Sequence, residues 1–385
     1  MDSELIYLDH AAATPMDKRV ISAMQPYFTD SFYNPSSPYL PAVIVRRSYD
    51  EAKQKIARLI GGKVGEIVIT AGATESINLA FNSVEGHVIV TNIEHHAVLE
   101  CASRYKYTIV NVDERGIISS DKITKAIKPN TQLISVALAN NELGVIQPIR
   151  DIAIVVKNER EKRLLAGSKT PIYLHCDASQ GASQLDINVA RLGVDMLTLN
   201  AGKIYGPKQV GLLWAASYVT INPHIIGGGQ ERGLRSGTEN VAGTIGFARA
   251  LELVCEHRKY ESDRLGKIRD NLQKKLSKHF PEMIISGNLK HRLSSYLNVS
   301  FPGLDGERLI FLLEKKGVLV ATGSACAANK GTRSHVLIAI GLTPKQADGS
   351  IRITLGHLST IENTEIASEI IISEVNREYQ RIGLC

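Results

Sequence analysis

The chain has 385 residues, of which 44% are hydrophobic and 22% are charged, and its formal net charge at pH 7 is +6. That length can fill two domains, and the composition is typical of a globular protein. The most basic stretch, residues 157–163, contains two glutamates and is typical of a solvated helix face, so nucleic-acid binding is not expected. No run approaches the ~20 apolar residues of a membrane span, and the acidic start Met1–Glu4 predicts no signal peptide.

The cysteine pattern bears on compartment and on metal binding. The sequence has five cysteines, an odd number, and they are widely spaced: Cys101, Cys176, Cys255, Cys326 and Cys385. Scattered thiols favour a cytoplasmic protein over one held together by disulfides. There is no Cys-x-x-Cys pair, and His175–Cys176 has no further ligand at zinc-site spacing, so no metal site is expected.

Taken in order, the chain first alternates strand and helix patterns, which predicts an α/β fold. Tyr7–Pro15 predicts a short strand followed by a turn, residues 34–37 a loop, and Tyr49–Leu59 a helix. Further strands are predicted at Glu66–Thr70, His87–Thr91, Leu133–Leu138, Ile172–His175 and Met196–Leu199.

Small residues separate the predicted strand Glu66–Thr70 from a helix that covers Ile77–Phe81. The intervening segment, Ala71–Ser76, includes Gly72 and Thr74. Backbone N–H groups at the start of a helix point outward and bind anions such as phosphate. Alone, this pattern is weak evidence, because the same residues also form ordinary helix caps.

Polar side chains follow the predicted strands, at the ends where open α/β sheets bind ligands. They are Thr74, His95, Asn141, Asp177, Gln180 and Lys203. Lys203 and Asp177 are the pair that a pyridoxal phosphate (PLP) enzyme needs, because a lysine binds the cofactor covalently and an acid holds its pyridine nitrogen protonated. Taken singly, Asp177 could cap a helix and Lys203 could be a solvated loop lysine. The shared location of these side chains favours a PLP site.

The second half of the chain has a different pattern of predicted elements. A glycine-rich loop, Gly227–Thr238, carries arginines and hydroxyls that suit an anion. A long helix is predicted at Val241–Leu276, followed by strands separated by helices, at Tyr296–Phe301, Val318–Ala321 and Ile351–Leu355. We place the domain boundary within the long helix. The prediction is a large PLP-binding domain at 15–255 and a small α+β domain formed by 1–14 and 256–385.

A series of short motifs runs along nearly the whole chain. They are YLDHAAATP (Tyr7–Pro15), AGATES (Ala71–Ser76), EHHAV (Glu94–Val98), NNELG (Asn140–Gly144), DASQ (Asp177–Gln180), KIYGPK (Lys203–Lys208), GGGQERGLRSGT (Gly227–Thr238), GSAC (Gly323–Cys326) and SIRITLG (Ser350–Gly356). In identity, order and spacing they resemble cysteine desulfurases of the NifS/IscS type, within the class-V aminotransferase-like PLP enzymes. The resemblance implies PLP as cofactor and the PLP-dependent transferase fold type I. That fold has a large domain, with a mostly parallel seven-stranded sheet between helices, and a smaller α+β C-terminal domain.

The resemblance also implies roles around the cofactor. Lys203 would bind PLP covalently and later remove the substrate Cα proton, while Asp177 would pair with the pyridine nitrogen. His95 would stack on the ring and move protons. Asn141 and Gln180 would meet the ring oxygen and its surroundings. The phosphate would be held by Ala73, Thr74, Asn200 and, reaching across from a partner subunit, Thr238.

Substrate and sulfur would be handled by a second group of residues. Arg352 would bind the substrate carboxylate through a bidentate pair, with Asn34 nearby. Cys326 would be the nucleophile that takes the sulfur. Residues 323–333 are small and polar without hydrophobic periodicity, which is typical of a loop, and an exposed loop thiol suits a nucleophile. Alternatively, Cys326 could be a packed thiol, which is what we expect of Cys101, Cys176 and Cys255.

The chain departs from the family pattern at several positions. Relatives usually have Ser-Gly-His before the lysine, whereas this chain has Asn200-Ala201-Gly202. Asn200 can still donate a hydrogen bond, but Gly202 cannot replace an imidazole on the phosphate. Family positions for a glycine, a histidine and an arginine are occupied here by Tyr33, Tyr39 and His357. Residues 158–169 look longer than usual and predict a surface extension.

The sequence therefore predicts a homodimeric PLP enzyme that converts L-cysteine to L-alanine and leaves a persulfide on Cys326. An acceptor or scaffold protein would take the sulfur, for iron–sulfur cluster assembly or another thiolation. One alternative is a related lyase or aminotransferase acting on another amino acid, such as selenocysteine. Another is a catalytically weak sulfur-transfer scaffold, which only residues 200–202 favour. No direct nucleic-acid or membrane partner is expected.

Overall fold

The computed structural model describes residues 5–323 and 333–383. Its helices are α1 (Lys18–Met24), α2 (Pro26–Thr29), α3 (Leu40–Ile60), α4 (Ala73–Phe81), α5 (His96–Ala102), α6 (Ser120–Ala126), α7 (Ile149–Leu165), α8 (Val189–Leu192), α9 (Val241–His279), α10 (Gly306–Glu314), α11 (His335–Ala339), α12 (Pro344–Asp348) and α13 (Ile361–Arg381). Its strands are β1 (Ile6–Tyr7), β2 (Ile67–Thr70), β3 (His87–Thr91), β4 (Tyr107–Val110), β5 (Thr131–Ala137), β6 (Tyr173–Asp177), β7 (Met196–Asn200), β8 (Gly211–Ala215), β9 (Ile284–Ile285), β10 (Tyr296–Ser300), β11 (Val318–Leu319) and β12 (Ser350–Thr354).

The main sheet has seven strands in the order β2-β8-β7-β6-β5-β3-β4. Strands β4, β3, β5, β6 and β7 run parallel to one another, whereas β8 is antiparallel to both of its neighbours. β2 and β3 are apolar, β-branched runs with every residue buried. Such runs are typical of strands with both faces covered by helices. The mostly parallel seven-stranded sheet predicted from the sequence is thus present.

Strand direction brings distant parts of the chain to one edge of this sheet. The parallel strands β3, β5, β6 and β7 end at Thr91, Ala137, Asp177 and Asn200. Because parallel neighbours end at the same edge, the residues that follow them meet in space. This edge positions the candidate site.

A second group of strands lies outside the main sheet. β12, β10 and β9 form an antiparallel sheet, and β1 pairs in parallel with β11. Backbone bridges join Asp9 to Thr354 and Ala321 to Arg352, and they connect the β1–β11 pair to the sheet formed by β12, β10 and β9. As a result, the backbone after β1 runs beside β12.

Helix α9 contributes to the two larger hydrophobic cores of the described part of the chain. Its residues up to Val254 pack into the core around the main sheet, whereas those from Leu265 onward pack with β10, β12 and α13. Val336 and Leu337 of α11 also belong to the first core, although they lie far along the sequence. The domain boundary placed near residue 255 stays a prediction.

The structure departs from the expected elements in several places. Strands β4, β8 and β9 were not predicted; β4 is an edge strand whose Tyr107 and Ile109 are exposed, so its pattern lacks an apolar face. α3 begins at Leu40 rather than at Tyr49. The sequence pattern did not reveal its first turns, because they carry exposed apolar residues that break the amphipathic pattern.

The interpretation of residues 157–163 as a wholly solvated helix face is wrong in part. The segment lies in α7, but Arg163 is buried and its Nη1 donates to the Thr131 carbonyl at 2.8 Å. The guanidinium therefore serves the fold. Among the helices in the described part of the chain, none is both long and apolar enough to cross a membrane.

Candidate active site

A cavity of about 310 Å³ lies at the edge of the main sheet where the parallel strands end. It brings together most of the residues predicted for the cofactor and substrate: Ala73, Thr74, His95, Asn141, Asp177, Gln180, Asn200, Lys203 and Arg352. Asn34 and Thr238 do not line it, and both are exposed in this single chain. Cys326 lies outside the described residues.

Lys203 reaches the cavity from a 3-10 turn, Ala201–Lys203, that directly follows β7. Asn200 caps that turn, since its Oδ1 accepts from the Gly202 N–H at 3.0 Å and its Nδ2 stays the donor. The Lys203 Nζ donates to the carbonyls of Ala11 and Ala12, both at 2.7 Å. The backbone after β1 therefore holds the amine at the cavity wall.

Asp177 ends β6 and contributes its carboxylate to the cavity, with Oδ1 accepting from the Ser179 N–H at 3.0 Å. His175 lies on the same face of the strand and is fully buried, between the Ser135 and Thr198 hydroxyls. Burial lowers the pKa of His175 to about 4, so its ring is neutral. Asp177 is therefore the charged group that this strand presents to a ligand.

Gln180 lies between the cavity and the strand β10. Its Nε2 donates to the Ala11 carbonyl at 3.1 Å, and its Oε1 accepts from the Tyr296 hydroxyl at 2.8 Å. These two bonds fix the orientation of the amide. The remaining Nε2 hydrogen is the donor that Gln180 can offer to a ligand oxygen.

His95 caps the start of α5 with its own ring. Its Nδ1 accepts from the Ala97 N–H at 3.1 Å, so the neutral ring carries its proton on Nε2. Burial lowers the pKa of His95, and the negative charge of Asp177 opposes that shift. A neutral imidazole with a defined tautomer therefore lines the cavity.

Glu94 is a buried acid behind the site that the sequence did not mark as functional. Its Oε1 contacts the Thr91 hydroxyl at 2.6 Å and its Oε2 accepts from the Ala137 N–H at 3.0 Å. Burial raises its pKa to about 8, and the charge of Asp177 adds to the rise. Its place in the EHHAV motif, beside His95, is the one sequence signal that points to it.

The start of α4 forms one end of the cavity, with Ala73 and Thr74 in its first turn. Gly72 precedes the helix at φ +138°, a backbone conformation open to glycine. No side chain caps this helix, so N–H groups of its first turn are available to a ligand. A phosphate is the group that such a helix start accepts most readily.

Arg352 comes from the middle of β12 and is only 2% exposed. Its Nη1 donates to the Asn141 carbonyl at 3.0 Å, and its Nη2 forms an ion pair with Asp9 at 2.7 Å. Asp9 was not among the predicted site residues, although it lies in the YLDHAAATP motif. The cavity therefore has a buried cation at the end that faces β12.

The side chains present fit PLP. Four features of one cavity match the parts of this cofactor. Asp177 suits the pyridine nitrogen and Lys203 suits the aldehyde. The neutral imidazole of His95 suits the aromatic ring, and the uncapped start of α4 suits the phosphate. Asn200 stands where a serine is usual and can donate through Nδ2. Within residues 5–323 and 333–383, no group of three or more His, Cys, Asp or Glu side chains could hold a metal ion.

Fold and site together define a PLP-dependent enzyme of fold type I. The chain belongs to the family "Aminotransferase class-V", which matches residues 6–366. The family, the fold class and PLP as cofactor, all expected from the sequence, are confirmed.

Within this family the chain is similar to cysteine desulfurases. "Cysteine desulfurase IscS" from Dictyoglomus turgidum is 39% identical over 378 residues, which covers 95% of this chain and 93% of the relative. A solved "NifS-like protein" is 33% identical with a TM-score of 0.88, covering 97% of this chain and 99% of the other. "SspA in complex with cysteine" is 34% identical with a TM-score of 0.77, covering 91% of this chain and 98% of the other.

Proposed function

We propose that this protein is a PLP-dependent cysteine desulfurase that converts L-cysteine to L-alanine and leaves a persulfide on Cys326. The observation that carries the proposal is the single cavity that joins Lys203, Asp177, His95 and Arg352. The similar proteins support it, since the Dictyoglomus relative is a cysteine desulfurase and the SspA structure is a complex with cysteine.

Each side chain of the cavity has a task in this reaction. Bound PLP supplies an electron sink that stabilises negative charge at the substrate Cα. Asp177 would keep the pyridine nitrogen protonated, and the helix start at Ala73–Thr74 would hold the phosphate. Arg352 binds the substrate carboxylate, and Lys203 takes the proton from Cα. His95, neutral and carrying its proton on Nε2, is placed to exchange a proton at the substrate.

The sulfur step is carried by a thiolate. Cys326 Sγ attacks the substrate sulfur, an S–S bond forms, and the Cβ–S bond breaks with its electrons kept by carbon. Cβ then takes a proton and becomes the methyl group of alanine, and a proton is returned to Cα. The thiolate is the reactive form, and a raised pKa disfavours it. Burial raises the pKa of Cys101 to about 11 and raises those of Cys176 and Cys255, so these three thiols are poor candidates.

We further propose a homodimer in which the glycine-rich loop serves the partner's site. An exposed apolar face covers α2 and the start of α3: Phe28, Phe32, Tyr39, Leu40, Val43 and Ile44. Apolar faces of this kind mark interfaces in soluble proteins. Arg46 of α3 forms an ion pair with Glu239, the residue after Thr238, at 2.5 Å, and Thr238 does not line the cavity of its own subunit. The rings of Tyr33 and Tyr39 lie in the same face, with centroids 6.0 Å apart.

An acceptor or scaffold protein for iron–sulfur cluster assembly is favoured by the relative named IscS. Asn34 near the substrate and a cytoplasmic location also stay predictions.

The decisive experiment follows sulfur and carbon together. Holoenzyme is incubated with L-cysteine, alanine is quantified, and peptides are searched by mass spectrometry for one added sulfur atom. We expect one alanine to form for each cysteine consumed, and we expect the added sulfur atom on Cys326. Cys326→Ser should keep PLP yet release almost no alanine, whereas the control Cys101→Ser should resemble the wild type. Sulfur on another cysteine, or full activity of Cys326→Ser, would overturn the mechanism in favour of a lyase.

A further inference from the structure

The YLDHAAATP motif places an acid against the cation of the cavity. Asp9 Oδ1 lies 2.7 Å from Arg352 Nη2, although the two residues are 343 positions apart. The Arg352 side chain is 2% exposed and that of Asp9 is 17% exposed. Water therefore screens this ion pair weakly, and its geometry constrains the guanidinium.

Arg352 has donors left over for another anion. A guanidinium has five N–H groups in a fixed plane. One serves the Asn141 carbonyl at 3.0 Å and one serves Asp9. The Nε atom is buried and has no hydrogen-bond partner among the described residues. A buried donor of this kind is costly unless a ligand satisfies it, and Arg352 lines the cavity.

Asp9 is itself held by the backbone on both sides. The Leu8 carbonyl accepts from the Thr354 N–H at 2.8 Å, and the His10 N–H donates to the Thr354 carbonyl at 3.3 Å. The hydroxyl of Tyr7 also donates to the Asp9 carbonyl at 2.8 Å. Asp9 and Arg352 thus approach each other from two paired segments whose register is fixed. The carboxylate cannot drift without breaking this bridge.

We propose that Asp9 is a positioning residue for substrate recognition, which holds the Arg352 plane so that its remaining N–H groups receive the amino acid's carboxylate. The proposal rests on the proposed function only in taking an amino acid as the ligand. With Nη1 tied to Asn141 and Nη2 tied to Asp9, the guanidinium cannot rotate about its long flexible stem. Pre-organised donors lose less entropy on binding than free ones. Loss of Asp9 should therefore weaken binding of the carboxylate more than it slows the chemistry.

The test compares a ligand that has a carboxylate with one that lacks it. Dissociation constants of L-alanine and L-alaninamide are measured by calorimetry on holoenzyme, for wild type, Asp9→Asn and Asp9→Ala. Asp9→Asn keeps an acceptor oxygen for Arg352 but removes the charge. Asp270→Asn is the matched control, because Asp270 pairs with Arg269 at 2.7 Å on the surface.

We expect wild type and Asp270→Asn to prefer L-alanine over the amide by the same factor. Asp9→Ala should lose about tenfold of that preference, equivalent to roughly 1.4 kcal/mol, and Asp9→Asn should lie between. With cysteine as substrate, KM should rise by a similar factor, about tenfold, while kcat changes by less than about twofold.

Two outcomes distinguish a positioning role of Asp9 from a general structural role and from a failure of the proposed function. If Asp9→Ala weakens both ligands equally, or releases PLP, Asp9 supports the fold generally and the proposal is wrong. A wild type that binds L-alanine but makes no alanine from cysteine would instead contradict the proposed function and leave the role of Asp9 intact.

Discussion

The ring of Tyr205 lies parallel to the ring of His357, with centroids 3.6 Å apart and 1° between the planes. Tyr205 follows Lys203 by two positions and has φ +63°, which non-glycine residues rarely adopt. Its hydroxyl accepts from the His357 N–H at 3.0 Å, and its own N–H donates to Thr14 Oγ1 at 2.8 Å. A backbone conformation of this kind persists where its surroundings hold it. The turn that carries Lys203 is therefore held by the segment that follows β12 and by Thr14.

We expect His357→Ala to loosen this turn. Loss of a stacked pair costs about 0.5–1.5 kcal/mol, so Tm should fall and PLP should leave faster on dialysis, as followed by its visible absorption. His357→Phe keeps the stacking and should retain PLP nearly as wild type does. Leu358→Ala, at a neighbouring exposed position, is the control. Equal retention in His357→Ala and wild type would show that the stacking is not needed, and that Thr14 and the backbone N–H of residue 357 suffice.

The sequence revealed the strands and their polar ends better than it revealed this contact. Apolar runs such as His87–Thr91 and Met196–Leu199 mark buried strands, and parallel neighbours must end at one edge. The pairs Tyr205–His357 and Asp9–Arg352 join residues far apart in the chain, and no local pattern encodes them. The start of α3 was missed for another physical reason, since its apolar residues face outward.

Gly202 stands where similar enzymes usually have a histidine, and substitutions there test whether that imidazole helps to retain PLP. A Cβ built there would meet Asn200 Oδ1 at 3.4 Å and Lys208 Cγ at 3.6 Å, which are ordinary contacts, and the glycine has no positive φ. The backbone at Gly202 therefore accepts a Cβ, and we expect Gly202→His to lose PLP more slowly than wild type on dialysis. Gly202→Ala separates the effect of the ring from that of the Cβ. If all three proteins lose PLP at the same rate, the phosphate is held adequately by other groups.

The raised pKa of Glu94 predicts that the stability of the folded protein falls as pH rises. Its pKa is raised from 4.5 to about 8 in the folded protein, so the folded state holds a proton that the unfolded state has lost between these values. The stabilising effect of that proton is complete below pH 4.5, declines as pH rises, and is lost above pH 8. Glu94→Gln does not ionise and can still bond Thr91 and the Ala137 N–H.

The measurement is Tm of holoenzyme between pH 6 and pH 9. We expect Tm of the wild type to fall relative to that of Glu94→Gln across this range. The control Glu85→Gln, at an exposed position away from the cavity, should follow the wild type. Parallel curves for wild type and Glu94→Gln would mean that Glu94 is already ionised in the folded protein.

Thr238 tests the shared site. Its loop is fastened within its own subunit by Glu231, which accepts from Lys53 Nζ at 2.8 Å and from the Ile69 N–H at 2.8 Å. If Thr238 reaches the partner's phosphate, Thr238→Ala should weaken PLP binding by about 10- to 100-fold, as loss of a hydrogen bond to a charged group costs about 1.5–3 kcal/mol.

Mixed dimers reveal which site Thr238 serves. In a dimer of Lys203→Ala with Thr238→Ala, the subunit that keeps Lys203 faces an intact Thr238, so one site should bind PLP tightly and turn over cysteine. In a dimer of wild type with the double variant Lys203→Ala/Thr238→Ala, the wild-type lysine faces an alanine, and tight binding should be lost. If Thr238 served its own subunit, the two results would be reversed. Light scattering on each mixture confirms that dimers are compared, and an active monomer would contradict the shared site outright.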